Sequence, residues 1–134
     1  MLRYLIDTDT AIDLLRRSPR IDAARFADAG DRVAASSITV MELEYGIERS
    51  AQPARNRAEV DGLLSRVSVL VFDRHAAEHA GRIRAELAAR GMTIGPHDVL
   101  LAGHARSAGL TMVTHNVGEF ARVPGMLIED WTTQ

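Results

Sequence analysis

Five short runs in this chain are apolar at nearly consecutive positions, Leu2–Ile6, Val33–Ala35, Ser68–Phe72, Thr111–Thr114 and Met126–Ile128, and longer stretches of helical periodicity separate them. A strand with one wet face alternates apolar and polar residues, so unbroken apolar runs describe strands buried on both faces. Strands of that kind belong to parallel sheets covered by crossover helices. Helical patterns fit Asp9–Arg17, Ile21–Asp28, Thr39–Arg49, Ala54–Arg66, Arg74–Ala89 and Pro96–Ser107, with Gly91 and Gly109 as C-terminal stops. In the fifth, Ala76, Ala80, Ile83 and Leu87 recur at helical spacing and form its core stripe. No linker, repeat or low-complexity segment breaks the alternation. Residues 1–134 therefore read as one α/β domain, a central parallel sheet of four to five strands flanked by helices on both faces.

Composition narrows the function classes. The chain has no cysteine, which removes disulfides and thiolate metal sites together and suits a reducing, cytoplasmic setting. No apolar run approaches ~18 residues, so no membrane span or membrane partner is expected. Residues 1–6 lack the long apolar region and small-residue cleavage site of a signal peptide, so the mature chain is expected to start here. A net charge of −2 argues against coating nucleic acid through bulk positive potential. Any polyanion must be met locally. All 16 basic residues are arginine, whose planar fork grips phosphate, but a GC-rich coding sequence explains that usage first.

Chain direction then places the polar residues. In a parallel α/β sheet the helices run back against the strands, so strand ends and helix starts share one edge, where ligands bind. Asp7 closes the first strand, Glu42 falls in the first turn of the helix after the second, Asp98 opens the helix that feeds the fourth, and Asn116 follows the fourth with Glu119 beyond. Each has an ordinary structural role open to it. Asp7 or Thr8 suits a helix cap, Thr39 with Glu42 spells a capping box, and Asp98 behind Pro96 suits a helix dipole. Together they mean more. Carboxylates sharing a crevice repel one another and raise each other's pKa values unless a cation neutralises them. With oxygen ligands only, that cation is expected to be Mg²⁺ or Mn²⁺, and the matching chemistry is phosphodiester hydrolysis by an activated water.

The segments Leu5-Ile6-Asp7-Thr8-Asp9, Ser36 through Gly46, Gly95-Pro96-His97-Asp98 with Ala102-Gly103-His104-Ala105, and Val113-Thr114-His115-Asn116 through Phe120 carry a resemblance that covers essentially the whole chain. In order and spacing they resemble the PIN-domain nucleases, and within them the VapC toxins of bacterial toxin–antitoxin pairs. The resemblance implies a PIN fold, metal-dependent endoribonuclease activity, a homodimer, and a cognate VapB-type antitoxin laid across helices near the active site. Ile12, Leu15, Ile21, Phe26, Ile47, Leu63 and Leu64 are candidates for that groove, although core packing explains most of them better. The closing Ile128-Glu129-Asp130-Trp131 resembles the branch that cuts initiator tRNA in its anticodon loop, which makes that tRNA a candidate substrate.

Carried over residue by residue, Asp7, Glu42 and Asp98 match the metal positions. Two departures matter. Many relatives have Asn where this chain has Asp9, and numerous PIN domains have a fourth Asp where it has Asn116. The fourth corner is thus divided between Asn116 and Glu119, and the number of ions stays open. Thr8 and Thr114 suit hydroxyls that orient water or carboxylates, or that serve ordinary capping.

Two other readings compete. His75-Ala76-Ala77-Glu78-His79 fits the H-x-x-E-H signature of inverted zinc peptidases, yet a third zinc ligand has no clear candidate and the segment lies in an amphipathic helix. Two solvent-facing histidines are expected there. His97 and His115 neighbour the acidic rim, where support of the acids or contact with RNA is expected. The last reading is a non-enzymatic interaction module whose acids are only caps; metal affinity discriminates it.

Overall fold

The computed structural model describes residues 1–133. Its elements follow in the order β1 (Tyr4–Ile6), α1 (Thr8–Leu15), α2 (Ala23–Ala29), a 3₁₀ turn (Gly30–Arg32), β2 (Val33–Ser36), α3 (Ser37–Arg49), α4 (Pro53–Leu64), β3 (Ser68–Leu70), α5 (Arg74–Ala89), α6 (Pro96–Ala108), β4 (Thr111–Val113), α7 (Val117–Phe120) and β5 (Ile128–Glu129). The five strands form one sheet in the order β3-β2-β1-β4-β5, and each neighbouring pair is parallel.

Side-chain alternation along the strands divides the core. Tyr4, Ile6, Val33, Ala35 and Val113 face one layer, packed by residues of α1 to α4 and by Trp131. Leu5, Ala34 and Met112 face the other, packed by Ile83 and Leu87 of α5, Leu101 and Ala105 of α6, and Phe120. Both faces are buried for β1, β2 and β4, which therefore read as continuous apolar runs, whereas the edge strand β3 is largely exposed and β5 half-buried, against the expectation for those two runs. Trp131 is 2% exposed, meets the Tyr4 ring edge-on at 5.0 Å, and donates its indole N–H to Glu129 Oε1 at 3.1 Å. On the opposite layer α5 and α6 cross closely: a Cβ added to Gly103 would lie 2.5 Å from the Ala80 backbone nitrogen. Glycine at that point lets two helix backbones approach.

Sequence expectations and structure differ at several ends. The second helix begins at Ala23, because Ile21 is drawn into an antiparallel bridge with Thr132. The third begins at Ser37, capped by Ser36, whose Oγ accepts the Ile38 N–H at 3.0 Å. The expected Thr39–Glu42 capping box therefore does not form, and Glu42 lies in the second turn. Helix α7 was unexpected, since four residues are too few to show a periodicity. Gly109 ends α6 in the left-handed conformation at φ 69°, as its placement implied.

The strand order sets the site. From β1 the chain moves outward to β2 and β3, then returns to place β4 on the other side of β1. Between β1 and β4 the order reverses, and the crevice beyond the strand ends at such a point is where open α/β sheets bind ligands.

Candidate active site

Asp7 leaves β1 at that crevice. Its carboxylate caps α1 by accepting the Thr10 N–H at 2.8 Å, and the Thr114 hydroxyl at the end of β4 also bonds to it. The side chain is 3% exposed. Burial pushes its pKa above the ordinary value, while the hydrogen bonds from Thr114 and Thr10 pull the other way and recover part of the shift.

Asp98 enters from α6. It sits in the first turn, behind an N-cap position filled by Gly95, which offers no side-chain cap. Its carboxyl is therefore free of capping duty and bonds to Glu119 instead. Burial first, then the charges of Glu119, Asp7 and Asp9, hold its pKa up at about 7. A carboxyl raised by burial and by neighbouring negative charge together marks a functional-site candidate.

Glu119 comes from α7. Its Oε1 accepts the Gly95 N–H at 2.7 Å, and its Oε2 accepts from Asn116 Nδ2. Asn116 is itself anchored, its backbone N–H donating to Thr114 Oγ1 at 2.9 Å. The two candidates for the fourth corner are thus one unit, the amide holding the carboxylate.

Glu42 stands slightly apart. Its Oε1 accepts the Thr8 hydroxyl at 2.8 Å, Thr8 Oγ1 lies 3.0 Å from Thr39 Oγ1, and its Oε2 is 3.3 Å from His97 Nδ1. Thr8 follows Asp7 directly, so this hydroxyl chain joins Glu42 to the cluster, but Glu42 is not among the charges that raise Asp98. Among the described residues no three of these groups already surround one point as a bound ion requires. Each is turned toward a hydrogen-bond donor or toward the Asp98 proton. The donor set fits a hard divalent ion all the same: every candidate offers carboxylate oxygen, and the proton on Asp98 is what a cation would displace.

The remaining histidines sort by partner. His97 supports Glu42, whereas His115 faces Asp130, whose pKa it helps lower behind the larger effect of the Thr132 hydroxyl. His104 is buried, and that burial lowers its pKa; its Nδ1 lies 2.8 Å from the Ser36 Oγ that caps α3. It ties the helix carrying Asp98 to the helix carrying Glu42. His75 is exposed and 3.9 Å from Glu78, as expected, but His79 is not solvent-facing: its Nδ1 accepts from Arg106 Nε at 3.0 Å. A nitrogen engaged by guanidinium is not offered to zinc, so the peptidase motif is a chance match.

Three contributors were not foreseen from the sequence: Thr39, which extends the Thr8 chain, the Gly95 N–H, which fixes Glu119, and Ser36, which receives His104. Thr39 and Ser36 carried a signal in their place at a helix start. A backbone N–H carries none.

Comparison with known proteins agrees with this arrangement. A PIN domain family model matches residues 4–126. The chain is 50% identical over 98% of its length to the tRNA(fMet)-specific endonuclease VapC of Salmonella typhimurium, covering 99% of that protein, and 46% identical to the VapC of the same description from Shigella flexneri, with 98% and 100% covered. Its fold matches a chain of the DNA-bound VapBC structure from Salmonella typhimurium with a TM-score of 0.93 at 50% identity, covering 98% of this chain and 99% of that one. A full-length match in sequence and fold, with the acids gathered at the switch point, places the chain in the PIN-domain family, among its VapC ribonucleases.

Proposed function

We propose that the chain is the toxin of a VapBC-type toxin–antitoxin pair, an endoribonuclease that hydrolyses RNA phosphodiester bonds with Mg²⁺ or Mn²⁺. The observation that carries this reading is the meeting of Asp7, Asp98 and Glu119 at the β1/β4 crevice, with Asp98 raised to about 7. We assign Asp7, Glu42 and Asp98 as the metal ligands, and Asn116 and Glu119 as the pair that completes the catalytic set. Residues 1–134 are taken as one PIN domain.

An ion held here supplies a water of lowered pKa and positive charge for the scissile phosphate. The chain's own residues do the rest. Asp7, fixed by Thr10 and Thr114, keeps a carboxylate close enough to Asp98 for its charge to raise that group. Glu119, held by Gly95 and Asn116, keeps a carboxylate beside Asp98 that can orient or deprotonate a water. Thr8 and His97 aim Glu42. The relatives from Salmonella and Shigella are named for tRNA(fMet), which makes the initiator tRNA the first substrate to test.

The antitoxin has a path to this site. A cleft of ≈ 630 Å³ between α1, α2 and α4, lined by Leu14, Leu15, Phe26 and Leu63, shares Leu15 and Glu59 with a second of ≈ 220 Å³ that reaches Glu42. We assign it to a VapB-type segment. Of the residues expected to line that groove, Leu15, Ile21, Phe26 and Leu63 line the first cleft and Ile12, Leu15 and Ile47 the second, Ile21, Phe26, Ile47 and Leu63 being mostly buried, while Leu64 lines neither and packs against the core. A homodimer and a cytoplasmic location complete the proposal. The structures of VapBC complexes support the antitoxin.

The test is cleavage of initiator tRNA by purified protein with Mg²⁺ or Mn²⁺. Asp7→Asn and Asp98→Asn are expected to abolish it while the far-UV circular dichroism stays unchanged. Equal cleavage by both folded variants would defeat the assigned site, and a folded protein without metal affinity would favour the interaction module.

A further inference from the structure

A cleft of ≈ 470 Å³ lies between α5, the 90–95 loop and the first turn of α6, a size ordinary for small-ligand sites. Phe72, Ala77, Ile94, Pro96 and Val99 make its lining apolar, and Arg84 is the one cation in it. Pro96 and Val99 flank Asp98 in the same helical turn, so this cleft and the acidic crevice share a wall. Gly95 precedes Pro96, and a Cβ there would stand 3.3 Å from Asp98 Oδ2 and 3.7 Å from Glu119 Oε1, so the start of α6 that walls the cleft lies beside both acids.

Arg84 is exposed, and the nearby Glu86 pairs with Arg106 instead of with it. A guanidinium with no partner among the described residues, at the mouth of an apolar slot, matches a ligand with flat apolar faces and a polar, electron-rich edge. The proposed substrate contains one. Single-stranded RNA bases are turned out of the strand and stacked on aromatic or other flat side chains wherever a protein holds the backbone beside them.

We propose that this cleft receives a nucleobase turned out of the RNA next to the scissile phosphate, with Phe72 and Pro96 covering its faces and Arg84 donating to its acceptor edge. The inference rests on the ribonuclease reading and deepens it. It makes the cleft a determinant of where the strand is cut, separate from the acids that cut it.

Gly81 offers a clean probe. It lines the cleft from α5, and a Cβ added there meets nothing within 4 Å, so Gly81→Leu is expected to fill the cleft with the fold retained. An RNA that the wild-type protein cuts, shortened to the nucleotides flanking its cut, is assayed with Mg²⁺ intact and with an abasic residue at each position in turn. For the wild type, one abasic position next to the cut is expected to raise KM about tenfold or more, the size of a lost base-stacking contact. Gly81→Leu and Arg84→Gln are expected to raise KM on intact RNA, and in Gly81→Leu the abasic penalty at that position is expected to vanish. Wild-type KM in both variants overturns the proposal. A changed oligomeric state in Gly81→Leu with the abasic penalty retained overturns it in favour of a second copy of the chain. Failure of the wild type to cut any RNA removes the ribonuclease reading and the base pocket with it.

Discussion

Asp98 carries the clearest physical signature in the molecule. Its folded-state pKa of about 7 stands above the ordinary 3.8, so its contribution to stability is full below about pH 4 and is lost as pH rises to 7. Replacing it by Asn keeps the shape of the protonated acid and removes that loss. Metal-free Asp98→Asn is expected to be more stable than the wild type at pH 8, by about 1–2 kcal/mol once solvent screening of a half-buried group is allowed for, and equally stable at pH 4. Thermal melts in EDTA across that range check it; a difference independent of pH would contradict the charge cluster. The same substitution is expected to abolish cleavage, so stability and activity should move in opposite directions. Thr8 belongs with Asp98 in this reasoning. Its hydroxyl aims Glu42 without touching substrate, and Thr8→Val is expected to weaken Mg²⁺ binding by about 10–100-fold, read by calorimetry, with the fold retained.

Helices α5 and α6 meet where Gly103 faces Ala80, and backbone atoms occupy the space a Cβ would need. Gly103→Ala forces the helices apart and is expected to destabilise the protein by about 1–3 kcal/mol in urea denaturation. Its second effect is on the site, because α6 carries Asp98: Mg²⁺ affinity is expected to fall in the same variant. A substitution at Gly118, where a Cβ meets nothing, is the neutral control. Helix α3 is positioned differently. Ser36 caps it and accepts or donates to His104 of α6, so one buried contact sets the distance between the helices bearing Glu42 and Asp98.

The molecule as a whole is a parallel sheet whose one reversal of strand order collects like charges, an arrangement the fold tolerates through the proton on Asp98 and the hydrogen bonds to Asp7. An ion that binds only the folded state stabilises it by mass action, about 2.7 kcal/mol at a hundred times its Kd. Mg²⁺ or Mn²⁺ is therefore expected to raise the melting temperature in a concentration-dependent way, more at pH 8 than at pH 6, since the ion competes with the Asp98 proton. EDTA is expected to reverse it. An Asp7→Asn protein whose melting temperature rises equally with Mg²⁺ would place the ion elsewhere.

Fold class and direction were legible because both follow from local pattern. The apolar runs of the three central strands are buried on both faces, burial on both faces requires crossover helices, and those helices bring Asp7, Asp98 and Asn116 to one edge, whereas the same kind of run at β3 falls on an exposed sheet edge. What no local pattern contains is how the groups at that edge choose partners. Thr39 and Glu42 spell a capping box, but Ser36 is free to cap one turn earlier, so Thr39 turns to Thr8 and Glu42 to Thr8 and His97. His79 looks like a ligand until Arg106, far along the chain, occupies its nitrogen. Glu119 against Asn116 stayed undecided in the sequence, and the fold joins them, the Asn116 amide donating to one Glu119 oxygen while the Gly95 N–H holds the other. Hydrophobic period and chain direction are properties of neighbouring residues. A hydrogen bond between residues distant in sequence exists only after the sheet has closed, and those bonds are what separate a cap from a site.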